Sequence, residues 1–151
     1  MTGTVPRARP ALGRRLLAEA VGIAMLVTVV VGSGIAATAL SPDDAGLQLS
    51  ENLTATVLGL AVLILVFGPM SGAHFNPVVS AADWLLGRRA DTGLPRREAA
   101  AYTGVQIAGG IAGAVLANIM FDESAFQLAT TDRASPGHLL GEVVATAGLS
   151  R

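Results

Sequence analysis

Residues 71–80 read SGAHFNPVVS and follow directly on an apolar run that ends at Met70. Asn76 is a favoured N-cap and Pro77 a favoured first residue of a helix, so the sequence predicts a short helix that begins at Pro77. A helix of about ten residues is about 15 Å long, half the thickness of the hydrocarbon core of a bilayer. The preceding SGAHF is predicted to be non-helical backbone, which at membrane depth must be buried in protein or line a water-filled cavity. An ordinary capped helix after a cytoplasmic loop is the alternative, and these residues alone do not choose between the two.

The chain around this stretch is predicted to be an integral membrane protein. Of its 151 residues, 52% are hydrophobic and 14% are charged, and the mean hydropathy is +0.58. Three runs contain no charged residue and are long enough to cross about 30 Å of hydrocarbon. They are residues 20–40, 53–70 and 99–121, and a fourth apolar run opens at position 138. Cysteine is absent, which excludes disulfides, thiol chemistry and thiolate metal sites.

The arginines form two blocks that predict the orientation. They are Arg7, Arg9, Arg14 and Arg15 before the first span and Arg88, Arg89, Arg96 and Arg97 between the second and third. The segments 41–52 and 122–132 are acidic and contain no arginine. The positive-inside rule therefore predicts a multi-pass protein of the inner (plasma) membrane with a cytoplasmic N-terminus. A cleaved signal peptide is disfavoured, because the first apolar run is too long and carries Glu19 at its edge.

The stretch SGAHFNPV at 71–78 resembles the signature Ser-Gly-x-His-x-Asn-Pro-Ala of the major intrinsic proteins, the aquaporin and aquaglyceroporin family, with Val78 in place of alanine. Other residues fall where the family pattern expects them. They are Glu19 and Gly22 in the first span, Trp84 in the short helix, and Tyr102, Gln106, Gly109 and Gly110 in the third span. The resemblance implies an all-α membrane protein that is half of an inverted-repeat channel: three transmembrane helices, one re-entrant half-helix and the start of a fourth span.

The resemblance also divides the chain into four segments. They are a basic cytoplasmic N-terminus (1–17), a first aquaporin-like repeat (18–121, with the half-helix at about 77–86), an outer connecting loop (122–137) and a truncated start of a second repeat (138–151). AEAVGIAML at 18–26 has an echo in GEVVATAGL at 141–149, which pairs Glu19 with Glu142. A complete channel of this kind would need roughly 100 further residues, carrying a second asparagine motif and the filter arginine.

The resemblance implies a pore at the motif. The amide of Asn76 is expected to donate hydrogen bonds to the permeating molecule, beside the positive end of the half-helix dipole, which repels cations and protons. The carbonyl groups of residues 72–75 are expected to accept hydrogen bonds from the solute. The expected pore-lining residues are Gly72, Ala73, His74, Phe75, Asn76, Pro77, Val78 and Thr56. The His74 imidazole and Glu19 are expected to brace this loop from behind, and Glu142 is expected to do the same in the second repeat. The alternative for Glu19 is a carboxylate that snorkels to the interface, and for His74 an interior histidine with its hydrogen bonds satisfied.

Three positions bear on selectivity. Thr56 stands twenty residues before Asn76, where the resemblance to water-selective and glycerol-conducting members implies an aromatic residue. A threonine predicts a wider and more polar filter that favours glycerol, urea or a neutral metalloid hydroxide, unless a neighbouring residue fills the space. Val78 is expected to narrow the waist slightly. Asp83 replaces a usually apolar residue of the half-helix, which is expected to alter how that helix packs.

Three functions are compatible with these residues. The first is a channel for water and small neutral solutes, with the lipid bilayer as its surroundings and, by resemblance, a homotetrameric assembly. The second is a truncated, non-conducting membrane fragment that only associates with intact subunits. The third, an intramembrane enzyme or proton carrier using His74, Asp83 and Glu19, is disfavoured because no nucleophile or metal-ligand spacing accompanies the histidine. The sequence therefore predicts no enzymatic activity, no cofactor, no metal site and no nucleic-acid surface.

Overall fold

The computed structural model describes residues 9–88, 90, 92–127 and 135–149, and within these ranges every regular element is a helix. The helices are α1 (Leu12–Leu40), α2 (Ala45–Ser71), α3 (Pro77–Gly87), α4 (Arg96–Met120) and α5 (Pro136–Leu149). Helices α1, α2 and α4 are long and apolar enough to cross a membrane. The predicted all-α membrane fold with three spans is therefore confirmed.

The spans are longer than the uncharged runs that predicted them. Helix α1 begins at Leu12 instead of residue 20, and α2 begins at Ala45 instead of residue 53. The start of α2 is capped by Asp44, whose carboxylate accepts a hydrogen bond from the N–H of Leu47 over 2.9 Å. The prediction that Ser71 belongs to the loop is wrong, because α2 continues through it. Polar residues extend these helices because helix formation does not stop where the charge-free stretch stops.

Helix α1 lies between α4 and α2 and contacts both. Its approach to α4 depends on glycine: a Cβ atom at Gly109 would collide with the carbonyl of Ala20, and one at Gly113 with the carbonyl of Ala24. Thr28 Oγ1 adds a hydrogen bond to Gly113 O over 3.1 Å. The spacing of Gly109 and Gly113, with three residues between them, is typical of helices that pack closely in a membrane.

The predicted half-helix is also confirmed, as the 11-residue α3, with Asn76 at the N-cap and Pro77 as its first residue. It packs against α4. The chain then folds back along α3, since Asp83 Oδ2 accepts a hydrogen bond from the N–H of Leu94 over 2.8 Å. Gly93 lies so close to the carbonyl of Asp83 that a Cβ atom would collide with it. Asp83 therefore anchors the connection between α3 and α4.

The C-terminal part of the chain forms α5 over Pro136–Leu149, where the start of a second repeat is predicted. Its 14 residues are fewer than the roughly 20 that a membrane crossing needs. Several predicted features lie outside the described residues: residues 1–8 with Arg7, then Arg89, the connecting segment 128–134, and Ser150 and Arg151. The side chain of Glu142 lies outside them as well, so its bracing role stays a prediction.

Candidate functional site

The loop between α2 and α3 has an unusual backbone. Gly72 has a φ of 94°, and Ala73 and Phe75 have φ values of 51° and 46°. For a residue with a side chain, this left-handed conformation costs about 1–2 kcal/mol of free energy. Such a conformation persists only where the surrounding structure imposes it. The loop is therefore held from outside, and the groups that hold it can be identified.

The main support of the loop is the carboxylate of Glu19, whose residue is 0% exposed in the middle of the helix bundle. Its Oε1 accepts hydrogen bonds from Ser71 Oγ (2.6 Å) and from the N–H of His74 (3.0 Å). Its Oε2 accepts from the N–H of Phe75 (2.8 Å) and from Gln106 Nε2 (2.7 Å). Four donors offset the loss of hydration of the buried carboxylate. The alternative of a carboxylate that snorkels to the interface is wrong.

The hydrogen bonds of residues 72–75 divide into two classes. All four backbone N–H groups donate within the chain: the first to Gly68 O, the second to Ser71 Oγ, and the last two to Glu19, over 2.8–3.1 Å. None of the four carbonyl oxygens accepts a hydrogen bond from any described residue. Buried backbone groups in proteins are almost always paired. The loop thus presents a row of four free acceptors and no free donor.

A second polar cluster fixes the histidine of the motif against α3 and α4. His74 Nδ1 lies 3.1 Å from Ser80 Oγ, and the imidazole ring lies 5.4 Å from the ring of Tyr102. Ser80 is fully buried and accepts a hydrogen bond from Gln106 Nε2 over 3.0 Å. Since Gln106 also bonds Glu19, one network joins the loop to three helices.

The hydroxyl of Tyr102 extends this network toward the N-terminus of α1. It donates to Ser71 O over 2.9 Å and accepts from Arg15 Nε over 2.9 Å. Arg15 is only 6% exposed and forms an ion pair with Glu98 over 2.8 Å. One arginine of the predicted basic block is therefore an interior residue.

The motif residues differ in what they expose. Phe75 is 3% exposed, and its ring packs edge to face on Phe67 in a space that Gly22 leaves open. Any pore-lining role of Phe75 belongs to its carbonyl group. Asn76 is exposed: its Oδ1 accepts a hydrogen bond from the N–H of Val78 over 2.8 Å, and its Nδ2 has no partner among the described residues. Val78 and Gly72 are exposed too, Ser71 is buried, and Ala73, His74 and Pro77 are half-buried.

The family model described as Major intrinsic protein matches residues 8–150. The chain belongs to the major intrinsic protein family. Among curated relatives, aquaglyceroporin AqpS of Rhizobium meliloti is 49% identical over 138 residues, which are 91% of this chain and 57% of that protein. Propanediol uptake facilitator PduF of Citrobacter freundii is 30% identical over 110 residues, which are 73% of this chain and 38% of that protein.

The chain therefore spans only about 57% and 38% of the length of these two relatives. A fungal relative, aquaporin-1 of Rhizopus delemar, is 33% identical over 138 residues, which are 90% of this chain and 40% of that protein. No solved structure matches the chain. The resemblance of residues 71–78 to the signature of the major intrinsic proteins is therefore confirmed at the level of the family.

Thr56 is a predicted pore-lining residue that lies far from the motif at residues 71–78. It lies about 22 Å along α2 from Ser71, at 1.5 Å per residue. The side chain is half-buried, but its Oγ1 is sealed from solvent and has no hydrogen-bond partner among the described residues. Only the apolar part of Thr56 meets solvent in this chain, so a polar contribution of its hydroxyl to a filter stays a prediction.

Two cavities open beside the motif on the side of the α1 N-terminus. The larger, of ≈ 480 Å³, lies along α3 and reaches Thr92. The smaller, of ≈ 230 Å³, reaches Arg9 and Leu94. Both are lined by Gly72, His74 and Asp83, so these three residues stand where the cavities meet.

The sequence reasoning did not identify four supports of the motif: Arg15, Ser71, Ser80 and Glu98. One signal was available for part of this cluster. Glu98, Tyr102 and Gln106 recur every four residues in α4, which places them on one face of the helix. A polar stripe in a membrane-spanning helix faces protein or water and not lipid.

Proposed function

We propose that residues 1–151 form the first half of a channel that lets water and small neutral solutes cross the inner membrane passively, and that the protein is not an enzyme. The observation that carries this proposal is the division of hydrogen bonds in residues 72–75. Their N–H groups donate hydrogen bonds within the protein, while none of their four carbonyl oxygens accepts one from a described residue. At membrane depth, free carbonyls are stable only beside water or a polar solute.

The chemistry of the loop favours neutral solutes that donate hydrogen bonds. A row of carbonyl oxygens replaces the water that a hydroxyl or amide group loses on entering a narrow path. Asn76 stands at the N-terminus of α3, where the helix dipole is positive and disfavours cations. Glycerol, urea, metalloid hydroxides and water all satisfy these requirements, and the names of AqpS and PduF are in keeping with small polyols.

The assembly belongs to the same proposal. The N-terminus and the arginine-containing connection between α3 and α4 face the cytoplasm, because eight arginines lie on that side, whereas the segments 41–52 and 122–137 contain only Arg133. The wall of the pore opposite Asn76 comes from residues beyond 1–151, either in the same polypeptide or in another subunit. By resemblance to its family, the protein forms homotetramers. A fragment that only associates with intact subunits is the alternative.

The test joins residues 1–151 to the second half of AqpS, which supplies the missing wall. The fused protein is reconstituted in liposomes, and shrinkage in a gradient of sucrose or glycerol is followed by stopped-flow light scattering. We expect water or glycerol permeability above that of empty vesicles. Asn76→Leu in the fused protein should abolish the permeability at equal protein incorporation. A helical, stably incorporated fusion that conducts no tested solute, or an Asn76→Leu variant that conducts normally, would contradict the proposal.

A further inference from the structure

Asp83 is the only charged residue of the half-helix α3, Pro77–Gly87. Its carboxylate stands at the junction of the two cavities, which Gly72 and His74 also line. The Gly72 carbonyl is the first of the four free acceptors in the loop. Asp83 is therefore placed where a solute would meet the carbonyl row.

The carboxylate is held in position by one of its two oxygens. Its Oδ2 accepts the hydrogen bond from Leu94 N–H over 2.8 Å, and Leu94 itself is buried against Ala99 and Tyr102. Its Oδ1 makes no hydrogen bond to any residue in the described ranges. The residue is half-buried and lines both cavities.

The two arginines that line the smaller cavity with Asp83 form hydrogen bonds with other residues. Arg15 lines the smaller cavity, but its guanidinium is paired with Glu98 and Tyr102. Arg9 lines the same cavity and donates to Thr92 O over 3.3 Å. Among the described residues, no cation pairs with the Asp83 carboxylate.

The other polar atoms at the junction complement this acceptor. His74 Nδ1 is bound to Ser80, whereas its Nε2 has no partner within the described part of the chain. A carboxylate oxygen forms charge-assisted hydrogen bonds that are shorter and stronger than those of a neutral acceptor. A solute with two or more hydroxyl groups has one donor for Asp83 Oδ1 and another for the Gly72 carbonyl. A solute without O–H or N–H donors has no such option.

We propose that Asp83, with His74 and the Gly72 carbonyl, forms a mouth subsite that binds small neutral polyhydroxylated solutes before they meet the carbonyl row. This rests on the proposed function for its role in transport, although the binding itself does not. Asp83 is then a specificity-determining residue that favours polyols over water, because water reaches the carbonyl row without a preceding docking step.

Binding is measured on the chain itself, in lipid nanodiscs, by NMR of the His74 imidazole and the Leu94 amide. Glycerol is the probe, and dimethyl sulfoxide, which has no hydrogen-bond donor, is the control solute. We expect saturable shifts with glycerol and only linear solvent effects with dimethyl sulfoxide. Equal responses to both solutes, or a saturable response to sodium chloride that glycerol does not compete with, would overturn the proposal.

Two substitutions separate the subsite from the structural anchor. Asp83→Asn keeps an oxygen for Leu94 N–H but places an NH₂ donor where the free acceptor was, so glycerol should bind about fivefold more weakly, as expected when a charge-assisted hydrogen bond is lost. Asp43→Asn removes an exposed carboxylate remote from both cavities and should leave binding unchanged. Wild-type affinity in Asp83→Asn, with the Leu94 amide still protected from exchange, would reduce Asp83 to an anchor and overturn the proposal.

The fusion with AqpS then tests the transport role. Asp83→Asn should lower glycerol permeability several-fold while water permeability stays within error, so the ratio of the two changes. If the fusion conducts nothing while the chain still binds glycerol through Asp83, the proposed channel function fails and the subsite stands. If it conducts and the ratio is unchanged by Asp83→Asn, the specificity role fails and the channel function stands.

Discussion

Tyr102 in α4 donates a hydrogen bond of 2.9 Å to the carbonyl oxygen of Ser71, the last residue of α2. This carbonyl directly precedes the carbonyl groups of residues 72–75, which accept no hydrogen bond from any described residue. The Tyr102 hydroxyl therefore binds the last carbonyl before that unbonded series. Pro69 lies two residues earlier and removes one of the hydrogen bonds of the last turn of α2. The end of α2 therefore depends on a contact from another helix.

Replacing Tyr102 with phenylalanine should destabilise the protein by about 1–2 kcal/mol, because the buried Ser71 carbonyl and Arg15 Nε each lose their partner. The measurement is reversible unfolding in mixed detergent, followed by circular dichroism. Thr38→Val is the matched control, since the hydroxyl of Thr38 is exposed and bonds only within its own helix. Equal losses in the two variants would show that the contact with Ser71 contributes nothing.

Replacing Glu19 should release the loop. Glu19→Gln removes two of the four acceptor sites by turning one oxygen into a donor, and Glu19→Ala removes all four. We expect faster hydrogen exchange at the amides of His74 and Phe75, in the order alanine, glutamine, wild type. Glu123→Gln, at an exposed position, is the control. Unchanged protection of both amides in Glu19→Ala would contradict the bracing role.

Gly22 and Gly104 offer a matched pair for the packing of Phe75. A Cβ atom at Gly22 would collide with the Phe75 ring, whereas one at Gly104 meets nothing within 4 Å. Gly22→Ala should destabilise the protein by about 1–3 kcal/mol through overpacking. Gly104→Ala should be neutral or stabilising by up to about 1 kcal/mol, since alanine is the better helix former. The midpoints of thermal unfolding of both variants are compared with that of the wild type. A Gly22→Ala variant as stable as Gly104→Ala would contradict the packing of the Phe75 ring against Gly22.

Features that depend on neighbouring residues were predicted from the sequence, whereas contacts between residues far apart in the chain were not. The half-helix followed from Asn76 and Pro77, because capping and a fixed φ act on adjacent residues. The roles of Arg15 and Ser80 did not, since their partners lie 87 and 26 residues away and no local preference encodes such pairs.

The ends of the spans were missed for a different reason. Counting uncharged residues assumes that charged groups stay outside the helices that cross the membrane. Arg15 and Glu98 neutralise each other inside the bundle, so α1 and α4 both begin before their charge-free stretches. Asp83 was expected to alter the packing of the half-helix, and this stays a prediction; the structure shows that its carboxylate accepts a hydrogen bond from the N–H of Leu94, in the chain that returns from α3.

The proposed orientation is tested by single cysteines, which the natural sequence leaves free of background. Ala90→Cys lies in the connection between α3 and α4, and Asp43→Cys lies between α1 and α2; both positions are exposed. In intact cells, a membrane-impermeant maleimide should label position 43 and spare position 90 until the cells are lysed. Labelling of position 90 alone in intact cells would invert the topology.

Residues 1–151 on their own are expected not to conduct. They contain one half-helix and one Asn-Pro motif, so the free carbonyls of residues 72–75 and the exposed Asn76 amide have no opposite wall, and in lipid each unsatisfied group costs several kcal/mol. A second copy in inverted orientation would supply a wall, but it would place eight arginines on the wrong side of the membrane. Stopped-flow light scattering on liposomes with the purified chain should give the permeability of empty vesicles for water and glycerol. Permeability clearly above that baseline, lost in Asn76→Leu, would mean that copies of this chain complete the pore themselves, against the orientation that the arginines predict.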